Sequence, residues 1–363
     1  MSIIDSELED IAKLCENVVP YSKIIACTSV LVRVDIKLNQ VNRQLSVCLR
    51  FPENYPQHPI LVEIKSRTLC GKFLDGLADL CETKAKEQLG KPQCLLVLKF
   101  VEQYLCENPL CVALDEILEL KRCLGKDTAS EQLKLKQKTS TVQLVAKGGA
   151  YYYRVKAEVP EDYPERCVVL MEPETNLPAV LLRYLNGQSK EIARQCVEQP
   201  LRLAKNKNTP LFKAAPSLYK TLKFCLEATK DFYSELCPIC EHTVLPSDPE
   251  QVELDDTKDN FVERVYCGHL FHQGCLKQFL QKPPFPKGGK LCPAKKRHPR
   301  SDARYYLGGG VAAQPTVTTD TGGTCSIRLA HDRWVVNSKV AESRWAQKQA
   351  RERELQEVVD FLQ

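Results

Sequence analysis

The sequence has no long apolar run. Stretches such as CLLVL, which begins at Cys94, are far shorter than the roughly 20 residues that a membrane-spanning helix needs. The opening residues, MSIIDSELEDIAKLC, are acidic and do not place a positively charged region before an apolar one, so we expect no signal peptide. These absences predict no membrane segment and no membrane partner. They favour a cytoplasmic location, with the nucleus as the alternative.

A strong net charge is also lacking. The chain of 363 residues carries a formal charge of only +5, so its bulk electrostatics do not support a nucleic-acid partner. A basic run at residues 295–300 could bind phosphate or act as an import signal, but we interpret it as a solvated flank. Apolar residues make up 43% and charged residues 27%, as in a soluble globular protein, and the length allows two or three domains.

Cysteine is abundant, with 18 residues, but most of them are scattered through apolar segments such as LKFCLEA and form no compact disulfide framework. Buried reduced cysteine behaves as a small hydrophobic residue, and reduced thiols are the default where no secretory signal is present. The histidines are distributed differently. Four of the six fall between residues 237 and 298, namely His242, His269, His272 and His298. This clustering indicates metal ligation.

The chain contains an internal repeat. FPENYP at residues 51–56 recurs as VPEDYP at 159–164, an offset of 108 residues. Each copy follows β-rich sequence, with a hairpin turn predicted at Gly148 and Gly149 in the second, and each precedes another apolar strand. A later amphipathic helix carries LKF in both copies. The common order of strands, turn, strand and helix predicts an α+β fold that is built twice.

An acidic leading helix, three or four strands, a Tyr-Pro turn and a closing helix resemble the RWD domain. That domain is a non-catalytic relative of the ubiquitin-conjugating fold and usually mediates protein contacts. The resemblance predicts one RWD-like domain at residues 1–118 and a second, more divergent one at 125–236. No thioester cysteine follows a His-Pro-Asn stretch, and we interpret Cys70 as structural. The two domains are therefore expected to bind a protein substrate or another partner.

A third segment has the spacing of a zinc module. Structural zinc takes four Cys or His ligands at tetrahedral corners, and pairs separated by two residues can aim both side chains at one ion. No accompanying motif indicates catalytic zinc. The pattern predicts bound Zn²⁺ and reads Cys237-x2-Cys240, 26 residues, Cys267-x-His269, two residues, His272-x2-Cys275, 16 residues, Cys292.

This order and spacing resemble the RING finger with two central histidines. The PHD finger fits less well, because it requires a cysteine pair where Cys267 and His269 stand. The resemblance implies a RING-type zinc finger at residues 237–300 that binds two zinc ions through interleaved pairs. Site one would consist of Cys237, Cys240, His272 and Cys275, and site two of Cys267, His269, Cys292 and a fourth ligand.

The fourth ligand of site two departs from the pattern. Lys295 stands where a cysteine is expected, and an ammonium group cannot ligate zinc. We predict that His298, three residues further on, completes the site. The alternatives are a water or open position, and the loss of the second zinc.

The RING resemblance implies a ubiquitin ligase, which recruits a ubiquitin-conjugating enzyme charged with ubiquitin and orients the thioester for transfer to a substrate lysine. No side chain of this protein is then expected to take part in the chemistry. The alternative is a non-catalytic adaptor with a degenerate RING. The residues expected to contact the conjugating enzyme are Ile239, Leu276, Phe279 and Pro293.

The last part of the sequence divides into two segments. Residues 301–332 are rich in Gly and Thr and lack periodicity, which predicts a flexible linker. Residues 333–363 are charged with an apolar stripe that includes Trp345, and they predict a C-terminal helix. We expect this helix to pack on its own chain, with a partner protein as the alternative.

Overall fold

The structure is a computed structural model that describes residues 3–38, 42–124, 132–199, 212–265, 267–286, 289–295, 329 and 332–362. The fold is mixed α+β, and the described strands form antiparallel sheets, as predicted at that level. None of the described helices combines the length and the apolar character that crossing a bilayer requires.

The first unit is a four-stranded sheet with helices packed on one face. Its strands pair in chain order, and in the second strand Val32, Val34 and Ile36 are buried while the residues between them are more exposed. This alternation is typical of a sheet with one covered face. The elements are α1 (Ile3–Val18), β1 (Ser22–Cys27), β2 (Leu31–Lys37), β3 (Gln44–Arg50), β4 (Leu61–Lys65), α2 (Gly71–Lys86) and α3 (Cys94–Glu107).

The second unit repeats this order of elements. Its strands again pair in chain order, and Gly148 pairs with Tyr151, which confirms the predicted hairpin. A Cβ atom on Gly148 would lie 2.3 Å from the carbonyl oxygen of Thr229, and Gly149 has a φ of +59°, so both positions require glycine. The elements are α4 (Leu114–Leu124), β5 (Leu133–Lys136), β6 (Thr141–Gly148), β7 (Tyr151–Glu158), β8 (Val169–Thr175), α5 (Ala179–Val197) and α6 (Leu218–Ser234).

A buried carboxylate joins the Tyr-Pro turn of the first unit to a helix. Glu7 of α1 is 1% exposed and accepts a hydrogen bond from the hydroxyl of Tyr55. Its Oε1 also accepts from the N–H groups of Gln93 and Cys94, at 2.8 and 2.6 Å. These residues begin α3, and the first N–H groups of a helix have no partner within the helix. The carboxylate therefore caps α3 from another element.

The second unit contains the same network. Glu116 of α4 accepts hydrogen bonds from the hydroxyl of Tyr163 and, at 2.9 Å, from the N–H of Tyr219. The Tyr163 oxygen accepts from the N–H of Ser217 at 2.8 Å. Ser217 precedes α6 as Gln93 precedes α3. The repeat seen in the sequence is thus also a repeat of specific hydrogen bonds.

The second unit begins earlier than the sequence suggested. The predicted boundary placed residues 114–118 in the first domain and started the second at 125. In the structure α4 supplies Glu116 to the second network and buries Ile117, Leu120 and Leu124 in the second core. An amphipathic helix between two repeats has the same periodicity whichever core it covers, so the pattern alone cannot assign it.

The remaining described residues form a small module and a long helix. The module contains the hairpin of β9 (Val262–Arg264) and β10 (Leu270–His272), followed by α7 (Gln273–Gln281). The helix predicted at 333–363 is α8 (Asp332–Leu362), and Trp345 packs edge-on against Phe285 with ring centroids 5.8 Å apart. The helix thus contacts its own chain. The linker predicted at 301–332 lies outside the described residues except for positions 329 and 332.

The small module rests on the second unit. One apolar cluster runs through both, whereas the first unit has a cluster of its own. The guanidinium group of Arg264 lies 3.6 Å from the centroid of the Tyr184 ring, and the hydroxyl of Tyr151 donates to the carbonyl of Pro246 at 2.8 Å. The module is therefore an extension of the second unit.

Candidate metal centre

Site one brings together the four residues predicted for it. Cys240 and His272 are 32 positions apart in the chain, yet the Cys240 sulfur lies 3.4 Å from Nδ1 of His272. Cys237 is buried and the other three residues are partly exposed. The donor atoms that lie within 4.8 Å of one another belong to Cys237, Cys240, His272 and Cys275.

Tight turns present the two pairs of site one. The N–H of Glu241 donates to the carbonyl of Cys237 at 2.8 Å, and a φ of 58° at Glu241 reverses the chain directly after Cys240. His272 ends β10 and Cys275 lies in the first turn of α7, so a strand-to-helix junction presents the second pair. Each pair is therefore fixed by the local backbone.

Site two contains three donors among the described residues. The donor atoms of Cys267, His269 and Cys292 lie within 4.8 Å of one another, and all three residues are buried. Nδ1 of His269 lies 3.2 Å from the Cys267 sulfur and 3.5 Å from the Cys292 sulfur. Gly268, with a φ of +95°, makes the turn between the first two donors.

The donor sets fit zinc. Bond lengths of about 2.3 Å to sulfur and about 2.0 Å to nitrogen at tetrahedral angles place ligand atoms roughly 3.5 Å apart. The sulfur–nitrogen separations quoted above are 3.2 to 3.5 Å. Thiolate and imidazole are donors that zinc prefers, whereas calcium and magnesium require oxygen. Both groups are compatible with structural zinc.

The electrostatics favour a thiolate at one cysteine of each site, whereas burial, as the largest cause, raises the pKa of Cys275 in site one to about 12. Burial opposes ionisation of the Cys237 thiol, but hydrogen bonds from His272 and from backbone N–H groups outweigh it and lower the pKa to about 6. The hydrogen bond with Cys292, assisted by His269 and opposed by burial, lowers the pKa of Cys267 to about 4. The hydrogen bond to Cys237 raises the pKa of His272 to about 9. A deprotonated thiol is the form that binds a metal.

Lys295, at the expected eighth position, is engaged elsewhere. Its Nζ lies 2.6 Å from a carboxylate oxygen of Glu241, and its side chain is 84% exposed. His298 lies outside the described residues, so its assignment to site two stays a prediction. His242 is exposed and belongs to neither site.

The four residues predicted to contact a conjugating enzyme fall into two classes. Ile239, Phe279 and Pro293 are partly exposed. Leu276 is only 1% exposed and faces the core together with Leu280, one turn further along α7. Leu276 therefore supports the module from inside and is not part of its surface.

One residue of the module was missed by sequence reasoning. Lys290 is 8% exposed, its ammonium group donates to the carbonyls of Phe279 and Lys282, and burial lowers its pKa. Its Nζ lies 4.8 Å from the ring centroid of Phe279 and 5.0 Å from that of Phe285. Lysine is almost never buried, and a single lysine carries no periodic signal that would predict this position.

Comparison with known proteins finds no relative, since no protein-family model matches the chain and no curated protein matches it. The functional conclusion therefore depends on the geometry of the chain's own residues.

Proposed function

We propose that the protein is a RING-type ubiquitin ligase with two structural zinc ions and two RWD-like domains. The observation that carries the proposal is the interleaving of the two sites. Site one joins the first Cys pair to the His272–Cys275 pair, and site two joins the intervening Cys267–His269 pair to Cys292. This crossed arrangement of pairs is the one that the RING resemblance implies.

Interleaved sites would give the module a fixed surface. Site one ties the turn around Ile239 to the start of α7, and site two ties the turn between β9 and β10 to the segment that contains Pro293. Structural zinc contributes roughly 10–16 kcal/mol of apparent binding free energy that is also folding energy in small modules. Zinc therefore supplies a scaffold here, without entering the reaction.

The surface fits docking of a conjugating enzyme. Ile239, Phe279 and Pro293 are apolar, partly exposed and carried by the three segments that the two sites hold together. A ligase of this class accelerates transfer by holding the charged enzyme and restricting the thioester to reactive orientations, which is an entropic contribution to the rate. The ligase itself needs no nucleophile.

The two units are proposed to be RWD-like binding domains for a substrate or another partner. The two units have the same order of elements and matching Glu–Tyr hydrogen-bond networks, which supports the same fold for both. Cys70, which precedes α2, does not have the properties of a thioester nucleophile. Burial, as the largest cause, raises the pKa of its thiol, whereas reactive cysteines have lowered values.

The proposal is tested by ubiquitin transfer in a purified system. The zinc-loaded full chain is combined with activating enzyme, ubiquitin, ATP and a panel of conjugating enzymes. We expect ubiquitin chains with at least one enzyme, and about a tenfold or greater loss in I239A, because hot-spot truncation removes about 1–2 kcal/mol or more of binding free energy. The matched control is L254A, since Leu254 is an 80% exposed apolar residue of the same module. Absence of transfer with every enzyme on the panel would refute the proposal.

A non-catalytic adaptor is the second candidate function. It is favoured by Lys295, which occupies the eighth position and pairs with Glu241. An adaptor would bind its partners through the two units and would keep the zinc sites for folding only. Wild-type protein that contains zinc and is folded, but neither binds nor discharges any charged conjugating enzyme, would support this reading.

A further inference from the structure

The Lys290 side chain lies at the end of α7, against the surface proposed to bind the conjugating enzyme. It is a cation with 8% exposure in a segment that also carries the site-two donor Cys292. Among the described residues its contacts are two carbonyls and two aromatic rings, and no carboxylate pairs with it. A buried ammonium held in this way needs all of its partners in place, because desolvation of a charge is expensive.

The two carbonyls belong to the C-terminal end of α7. The helix ends at Gln281, and its last carbonyl groups have no hydrogen-bond partner within the helix. Nζ of Lys290 lies 2.5 Å from the Phe279 oxygen and also binds the Lys282 oxygen. A positive charge at this end also complements the helix dipole. Lys290 thus caps α7 from outside the helix.

The two rings extend the contact to the C-terminal helix. The ammonium group lies within cation–π distance of Phe279 and Phe285, and Phe285 packs edge-on against Trp345 of α8. The Lys290 carbonyl accepts a hydrogen bond from the N–H of Leu329 at 2.8 Å, shortly before α8. The Lys290 side chain therefore connects the end of α7 with the following turn, and its backbone carbonyl binds Leu329.

We propose that Lys290 is a positioning residue for the conjugating-enzyme surface. By capping α7 and lying against Phe279, it holds the partly exposed ring in the orientation offered to the partner. This role rests on the proposed ligase function, since it concerns the same surface. Lys290 is not expected to contact ubiquitin or the thioester, so its loss changes docking and not the step of transfer.

The test compares K290M with wild type in the full, zinc-loaded chain. Methionine keeps most of the stem and removes the ammonium group. We expect the conjugating-enzyme concentration at half-maximal rate to rise about fivefold, with the maximal rate within about twofold, as loss of the cation–π and capping contacts of Lys290 implies. Backbone amides of residues 279–285 should exchange with solvent about tenfold faster, because local opening becomes easier. K282M is the matched control, since Lys282 is exposed at the same helix end.

Two further variants keep the test decisive if K290M loses zinc or fails to fold. K290R keeps a cation, so its amide exchange rates should lie within about threefold of wild type. F285L removes one ring, so it should raise the half-saturating concentration and the exchange rates by about twofold, in the direction expected for K290M. Wild-type exchange rates in K290M, or a lower maximal rate at unchanged half-saturation, would overturn the positioning role. If K290M does not fold, a K290R variant that also fails to fold would overturn the positioning role as well. If wild type discharges no conjugating enzyme, the ligase proposal fails, and the exchange rates still decide whether Lys290 orders this segment.

Discussion

Cys267, His269 and Cys292 bring three donors to one point, and tetrahedral zinc takes four. Outside the described residues, the stretch 296–328 contains one histidine and one cysteine in its sequence, His298 and Cys325. The spacing after Cys292 favours His298. Leu329, four residues after Cys325 in the sequence, donates a hydrogen bond to the Lys290 carbonyl, so Cys325 is the competing candidate.

Metal content separates the two donors. We expect H298A to retain about one zinc ion per chain and C325S to retain about two, like wild type, because a structural site that lacks a ligand binds far more weakly. Elemental analysis of the purified full chain gives the ratio. C106S is the matched control, since Cys106 is an exposed thiol of the first unit. One zinc in C325S and two in H298A would instead support the thiol.

At the scale of elements, the two capping carboxylates explain how each unit closes. Glu7 and Glu116 lie on leading helices and cap α3 and α6, so three distant segments meet at each tyrosine. The repeated Tyr-Pro turns and the order of elements could be predicted, because they depend on short motifs and on the pattern of neighbouring residues. The capping glutamates could not, since in acidic helices such as DSELED they look like any solvent-facing carboxylate. For the same reason the predicted boundary put residues 114–118, the first part of α4, in the first domain.

Removal of one cap tests this interpretation. We expect E116A to lower the free energy of unfolding of the second unit by about 2–3 kcal/mol, because the Tyr163 hydroxyl and the Tyr219 N–H lose a partly buried acceptor. Urea unfolding gives the free energy, and amide exchange in the first turn of α6 locates the change. E116Q should lose less, because its amide oxygen can still accept.

The control for this variant lies on the same helix. Glu119 is exposed in α4, so E119A should change the free energy by no more than about 0.5 kcal/mol. Equal effects of E116A and E119A would contradict the capping role.

At the scale of the whole molecule, the described residues form two apolar cores and not three. The small module shares the apolar cluster of the second unit, and the first unit has a cluster of its own. The sequence predicted the module from its ligand spacing, which is local and strict. The sequence could not predict that the module packs on the second unit. Contacts such as that of Arg264 with Tyr184 join residues far apart in the chain and leave no periodic pattern.

Metal removal should therefore affect the two cores unequally. On treatment with a strong chelator we expect rapid amide exchange in residues 237–295 and weakened protection at the β6–β7 end of the second unit, where Tyr151 binds Pro246. The first unit should keep its protection. Hydrogen exchange read by mass spectrometry measures both, and readdition of zinc serves as the control. Equal loss of protection in the first unit would contradict the division into two cores.

The shared core of module and second unit has a consequence for substrate choice under the proposed function. A protein bound to the second unit would be attached to the same core as the docked conjugating enzyme. The distance between the bound segment of the substrate and the thioester is then set by the fold. The lysine that receives ubiquitin would be one that lies at this distance from the bound segment, whatever residues flank it.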